Sequence, residues 1–279
     1  MYKLILENIN FNQALIAKMK ISIITVVYNN EETIQDVMNS VLLQEYDDLE
    51  YIIIDGASTD GTVEIIKDIL KRYPERNVKF ISEKDNGIYD AMNKGIRNST
   101  GDVIGILNSD DFYVNNNVIS IVINKFITKK VESVFADLVY VRTDNLDKIV
   151  RYYSSAIFHP GKMAYGWMPA HPTFFVKREV YEQYGLYKTD YKIAADYELI
   201  ARFLVKNKVS YSYIPEVLVK MRTGGASTRN LKSNWILNKE ILRACAENDI
   251  KTNIFRIYSK YFAKVFQLFR NPAKEQLIT

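Results

Sequence analysis

The stretch from Val103 to Tyr113 constrains this chain more than any other. An apolar run, Val103 to Leu107, reads as a buried strand, and it opens directly into Asn108, Ser109, Asp110 and Asp111. Adjacent carboxylates repel, so packing alone gives no reason to set two of them at a strand end. A hard divalent cation carrying phosphate oxygens gives one, because it offsets the repulsion and takes oxygen ligands. A solvated turn with Asp as a helix cap is the competing explanation.

The surrounding pattern favours the first. Ile21–Val27 is a β-branched strand, and Ile34, Val37, Met38, Val41 and Leu42 follow at helical spacing. Tyr51–Ile54 reads as a second strand and Val78–Ser82 as a third. Val63, Ile66, Ile69 and Leu70 form the inward face of one intervening helix, and Tyr89, Met92 and Ile96 mark the next. Strands alternating with helices of this length imply an α/β fold with a doubly wound, mostly parallel sheet. Beyond Asn115 the pattern changes. A helix to Ile127 precedes the strand Ser133–Tyr140, an Asp144-Asn145 turn and a partner at Lys148–Tyr153. Loops rich in Gly, Pro and aromatics follow, then a helix over Asp196–Asn207. The expected organisation is an extension at 1–18, a main domain at 19–230 with halves at 19–114 and 115–230, and a helical C-terminal appendage at 231–279.

In an open parallel sheet, ligands bind beyond the carboxyl ends of the strands. There the first strand delivers Thr25, Val27, Tyr28 and Asn29, and the second delivers Asp55 through Gly61. Asp60 is explained by capping the helix that begins at Thr62. Asp55 lacks that explanation, and beside Gly56 it is placed to accept a hydrogen bond from a base N–H. No Gly-x-Gly-x-x-Gly follows the first strand and no phosphate-binding loop of the Gly-x4-Gly-Lys-Ser/Thr type exists, which argues against a dinucleotide and a nucleoside triphosphate. There is no Gly-x-Ser-x-Gly elbow for acyl hydrolysis either. A pyrophosphate without such a loop must be held mainly by a metal, which Asp110 and Asp111 would provide.

Composition excludes further classes. A net charge of +4 is too small to imply nucleic acid without a concentrated patch. The single Cys245 rules out a disulfide framework, and one Cys with two separated His leaves no zinc signature. Nothing resembles a signal peptide, and no apolar run approaches the roughly 20 residues of a membrane span. A cytoplasmic protein is expected. The one basic concentration is 251–270, where Lys251, Arg256, Lys260, Lys264 and Arg270 alternate with Phe255, Tyr258, Phe262, Phe266 and Phe269 and no acid intervenes. As a helix this would be a basic, aromatic stripe suited to an anionic membrane surface.

Four segments together resemble the family-two inverting glycosyltransferases, with their A-type nucleotide-sugar fold. They are Ile21 to Asn30, Ile52 to Thr62, Asp85 to Gly95 and Leu107-Asn-Ser-Asp-Asp111, in the family's order and spacing. The likeness covers roughly Met19 to Arg222. It implies that Thr25 and Asp55 contact the uracil of a UDP-sugar and that Val27 and Asn29 line the nucleoside pocket. Gly87 and Asn93 would lie along the ribose and pyrophosphate. Asn108-Ser109-Asp110 would occupy the place of the family's Asp-x-Asp motif, with Asp110 as ligand to Mn²⁺ or Mg²⁺ and Asp111 beside it. Asn108 departs from the family, since the amide brings one negative charge fewer. Tyr191 to Leu199 resembles the segment carrying the catalytic base, so Asp196 takes that role by resemblance, against a helix cap as the alternative. The loops around His171 and from Met221 to Ser227 resemble those flanking the acceptor. His171 would touch diphosphate or acceptor, and Gly224-Gly225 would form a flap with Arg222 or Arg229 reaching phosphate.

The expectation is a metal-dependent glycosyltransferase that moves a sugar from a UDP-sugar to a lipid-linked saccharide acceptor in bacterial surface polysaccharide synthesis. It would sit peripherally on the inner face of the cell membrane through 251–270. Two rivals remain: a nucleotide-sugar-binding relative without catalysis, for which Asn108 speaks, and a receiver-type phospho-acceptor domain, which needs only about half this length.

Overall fold

Period-two burial on both sides of the first strand sets the architecture. In β1 (Ile21–Val27) the side chains of Ile21, Ile23 and Val27 enter one apolar layer, and Ile24 and Val26 enter the other. A strand buried on both faces belongs inside a layered α/β sheet. The computed structural model describes residues 19–224 and 231–259. The expected extension at 1–18, Gly225, Arg229 and the distal basic residues Lys260, Lys264 and Arg270 lie outside them.

The first four strands are β1, β2 (Leu49–Asp55), β3 (Asn77–Ser82) and β4 (Val103–Ile106). They run parallel in the order β3-β2-β1-β4. Helices α1 (Ile34–Leu42), α2 (Thr62–Leu70) and α3 (Ile88–Asn98) connect them, as the sequence spacing predicts. The α3 helix seats closely on β1, because Gly95 leaves no room for a side chain: a Cβ there would stand 2.3 Å from Ile24 Cγ2.

After β5 (Asp111–Tyr113) and α4 (Val118–Lys129) the sheet becomes mixed. The strands β6 (Ser133–Arg142) and β7 (Asn145–Tyr153) form the expected hairpin. Beyond it, β8 (Phe175–Lys177) pairs antiparallel with both β4 and β6. β9 (Tyr211–Arg222) runs parallel to β6 and antiparallel to β5. The helix expected over Asp196–Asn207 is shorter. Its α-helical part, α6, covers Ala195–Ala201 and passes into a π-type turn at Arg202–Lys206, while α5 (Arg178–Tyr184) precedes it. The C-terminal helix α7 spans Leu231–Glu247 and packs its buried Ile241, Ala244 and Cys245 into the same layer as Tyr197 and Ile200 of α6. Cys245 is thus a core residue. The Asp55 end of β2 and the strand-end turn after β4 lie on one edge of the sheet, and the turn before α6 faces them.

Candidate functional site

A cavity of about 460 Å³ opens on that edge. Its floor is Val27 with Asn108, Ser109 and Asp110. One wall comes from Tyr28, Asp85 and the start of α3 (Gly87, Ile88, Tyr89), and the opposite wall from His171, Lys192, Ile193 and Asp196. Residues separated by more than 160 positions therefore face one space.

The floor is built by short polar contacts. Asn30 Nδ2 donates to Ser109 Oγ at 2.7 Å, and the Thr33 hydroxyl donates to the Ser109 carbonyl at 2.6 Å. The Asp110 side chain is left facing the cavity, while Asp111 turns inward as the first residue of β5. Both Asp111 carboxylate oxygens are buried without a hydrogen-bond partner, and so is Asn108 Oδ1. Burial pushes the Asp111 carboxyl well above the usual carboxylate range, the charge of Asp110 adds to this, and Arg222 opposes it. Buried acceptors without donors are costly and need a reason. For Asn108, which lines the cavity, a cation at the turn would supply one, whereas Asp111 avoids a buried charge by keeping its proton. No cluster of three His, Cys, Asp or Glu able to hold a metal exists among the described residues. The residues fit an ion of the kind held by one or two carboxylates together with substrate phosphates, rather than one caged by protein alone.

The opposite wall carries Asp196 in the first turn of α6. Its Oδ1 accepts from the Tyr197 N–H at 2.8 Å, and its Oδ2 lies 3.4 Å from His171 Nδ1, an electrostatic contact rather than a tight hydrogen bond. Burial raises the Asp196 pKa, and His171 is the main opposing influence. His171 itself is held by a turn fixed on β6, where the Thr173 hydroxyl donates to the carbonyl of Ala136 or Ala170 and accepts from the Ala136 N–H. The turn before α6 is fixed from α7. Glu240 accepts from the N–H groups of Lys192, Ile193 and Ala194 at 2.7, 2.9 and 2.9 Å. Asp196 is not the N-cap residue of α6, a position held by Ala194, although its Oδ1 takes one first-turn N–H.

Of the residues singled out in the sequence, Val27, Gly87, Asn108, Ser109, Asp110, His171 and Asp196 reach the cavity. Gly87 has φ +109 at the start of α3, a conformation that L side chains rarely adopt. Several others do not reach it. Thr25 is fully buried, and its Oγ1 lies 3.0 Å from the Tyr51 hydroxyl, so it faces the core rather than a base. Asn93 is buried, and its amide bonds the Tyr187 backbone at both ends, at 2.8 and 2.9 Å, away from the cavity. Asn29 adopts a left-handed turn, and its Oδ1 accepts from Thr59 N at 2.8 Å. Asp55 lies beneath the cavity, accepting from the hydroxyls of Ser58 and Ser82 at 2.5 and 2.6 Å. Arg222 ends a paired strand, not a flap. It is 5% exposed, pairs with Asp36 and donates to the Asp110 carbonyl at 2.8 Å, so it braces the acidic turn from behind. Gly224 stands just past β9 with φ +106.

Sequence reasoning passed over Asp85, Tyr89, Lys192 and Glu240. Asp85 and Tyr89 lay inside a segment already singled out, and Lys192 lies four residues before Asp196. Glu240 had no signal, because its role depends on where α7 docks.

Comparison with known proteins gives this geometry a context. The profile of Glycosyl transferase family 2 matches residues 22–185. A PGL/p-HBAD biosynthesis glycosyltransferase of Mycobacterium bovis is 26% identical over 222 residues, 80% of this chain and 82% of that protein. The poly-beta-1,6-N-acetyl-D-glucosamine synthase of Staphylococcus epidermidis is 36% identical over a shorter match, 36% of this chain and 25% of its own. Among solved structures, S. aureus TarS 1-349 in complex with UDP-GlcNAc superposes with a TM-score of 0.64 at 17% identity, covering 84% of this chain and 68% of that one. A mannosyltransferase from Pyrobaculum calidifontis, in complex with GDP-Man and Mn²⁺, gives 0.61 at 18% identity over 82% of this chain; the match spans 64% of the mannosyltransferase.

Proposed function

The chain belongs to glycosyl transferase family 2, and from that premise we propose that it is a metal-dependent inverting enzyme that transfers a sugar from a UDP-sugar to a saccharide acceptor in surface glycan synthesis. Family membership removes the receiver-domain alternative. The observation that carries the reading is the meeting of Asp196 with the Asn108-Ser109-Asp110 turn across a single cavity.

In this reading the donor lies between Tyr28, Asp85 and the Asp110 turn. The first N–H groups of α3, behind the open backbone of Gly87, favour the diphosphate, as helix N-termini favour anions. Asp110 would hold Mn²⁺ or Mg²⁺ from the protein side, and buried Asp111, which keeps its proton, leaves Asp110 as the charged carboxylate of the turn. The ion, when bound, offsets charge on the departing diphosphate. Asp196 accepts the proton of an acceptor hydroxyl while that oxygen bonds to the anomeric carbon and the bond to the UDP β-phosphate oxygen breaks. The electron pair leaves with UDP. One displacement inverts the anomeric centre. His171, with Nδ1 3.4 Å from Asp196 Oδ2, positions the carboxylate. The TarS complex with UDP-GlcNAc supports a uridine donor, and the Mn²⁺ in the mannosyltransferase complex supports the metal.

The acceptor is lipid-linked in this reading, and the C-terminal surface serves to dock the enzyme on a bilayer. No helix among the described residues is long and apolar enough to cross a membrane. Phe255 is 83% exposed, Ile254 and Tyr258 project beside it, and Arg256 lies over the exposed ring of Tyr165.

Measured UDP release from a nucleotide-sugar panel, with and without Mn²⁺, tests the proposal. Asp110→Ala should abolish metal-dependent turnover and weaken UDP binding, whereas Asn108→Asp should keep activity or strengthen metal affinity. Full turnover in Asp110→Ala would remove it from the metal site. Nucleotide binding by the wild-type protein without any transfer would instead favour the catalytically inactive relative.

A further inference from the structure

A second, smaller cleft shares a lining residue with the first. About 270 Å³ in volume, it lies between the turn at Lys192 and the α7 side chains Trp235, Ile236, Lys239 and Arg243. Lys192 lines both spaces. Trp235 is one of two tryptophans in the chain and is left 59% exposed. Lys239 Nζ stands 5.3 Å from the indole centroid, which brings cation and ring together on one exposed patch.

Charge in this cleft is unbalanced. Glu240 is its acid, yet both of its oxygens are engaged by the backbone N–H groups of 192–194. Arg243 is already paired with Asp190 and Glu247. Lys192 and Lys239 are both exposed, and neither ammonium meets a carboxylate among the described residues. An exposed aromatic face offers a surface for the C–H side of a sugar ring, and its polar edge tolerates water. Two ammoniums that touch no carboxylate, set against the single lining negative charge of Glu240, leave the cleft net positive and attract an anion, the more so at a concave surface.

We propose that this cleft is an acceptor subsite for a negatively charged saccharide, phosphorylated or uronic, whose reacting end passes Lys192 to reach Asp196. The inference rests on the proposed role of Asp196 for its direction, but the binding it claims stands apart from donor chemistry.

The test uses the full chain carrying Trp167→Phe, which leaves Trp235 as the only indole. Its fluorescence is titrated with phosphopentamannose, with a hyaluronan tetrasaccharide and with neutral mannopentaose. A saturable change with either anionic sugar, at least tenfold tighter than with mannopentaose and weakening as salt rises, supports the proposal. A response to the phosphorylated sugar alone identifies a phosphate-bearing acceptor, and one to hyaluronan alone a uronic acceptor. Lys239→Ala should weaken the anionic ligand about tenfold. Equal affinity for neutral and charged sugars, no response to any of them, or no effect of Lys239→Ala overturns it. UDP-induced thermal shift on the same variants confirms that they are folded. If UDP fails to bind the wild-type protein while the anionic sugar binds, the donor reading fails and the cleft stands.

Discussion

Asp196 sits where burial opposes its charge, and that opposition has two measurable consequences. A carboxyl whose pKa is raised on folding holds its proton more tightly in the native state. Its contribution to stability is full below the ordinary carboxylate range and is lost as pH rises through the raised value. Ionised Asp196 therefore weighs against the fold at neutral pH. Asp196→Asn keeps the shape without the charge, so its melting temperature at pH 7 should equal or exceed that of the wild type while transfer falls by about 10²-fold or more. UDP binding should persist. Calorimetry beside a UDP-release assay checks both, and lost stability together with lost UDP binding would make Asp196 a structural residue. The acidic limb of the wild-type pH–rate profile should likewise lie above the usual carboxylate range. At this scale the sequence was informative about which residue types belong to the site and less so about their direction. Asp110, His171 and Asp196 face the cavity. Thr25 and Asn93 sit in equally suggestive positions, but strand pleat and helix rotation point them into the core, and hydrogen bonds to Tyr51 and Tyr187 hold them there.

At the level of elements, the first half was legible because β1 and β2 are long and rich in β-branched residues, and each of the first three strands is followed by a helix of regular spacing. In the second half only α4 and the β6–β7 hairpin were equally legible. The strands β5 and β8 are three residues each, too short for any period to register. β9 was obscured by Pro215, which interrupts its apolar run, since proline inside a strand normally marks an edge or a bulge. The ladder accommodates it at such an irregularity, where Ala136 pairs with Ile214 and the next residue, Asp137, pairs with Val217. Two substitutions probe how elements hold the site. Gly95→Ala forces a Cβ into Ile24 at the α3–β1 contact and should cost about 1–3 kcal/mol, read as a lowered denaturation midpoint. Glu240→Gln replaces one accepting oxygen with a donor that faces backbone N–H groups. It should lower kcat by at least about tenfold with little change in donor KM, and shift the acidic limb downward because a nearby negative charge is lost. An unchanged pH profile with a lower melting temperature would reduce Glu240 to a docking contact for α7.

For the whole molecule, the placement of 254–259 refines the membrane reading. Ile257 is fully buried and joins the core that contains Cys245, while Phe255 projects into solvent. Removing everything after Asn248 would therefore damage the core as well as the proposed docking surface. Ile254→Ser with Phe255→Ser is the cleaner change. It should reduce co-sedimentation with vesicles containing anionic lipid by several-fold and leave turnover on a soluble acceptor analogue intact. Equal sedimentation of the double variant would place membrane contact elsewhere.

The sheet is joined across its middle by very little. β8 meets β4 through two residue pairs, Val103 with Lys177 and Ile104 with Val176, and meets β6 through two more. Inheritance can act on such a join. The four parallel strands that carry the Asp85 and Asp110 turns of the cavity keep their own ladder whatever happens beyond it. Segments after α4 can be lengthened, shortened or exchanged at the expense of few backbone pairings. On the proposed placement of donor and acceptor, a lineage built on this plan is free to change what it glycosylates faster than what it glycosylates with.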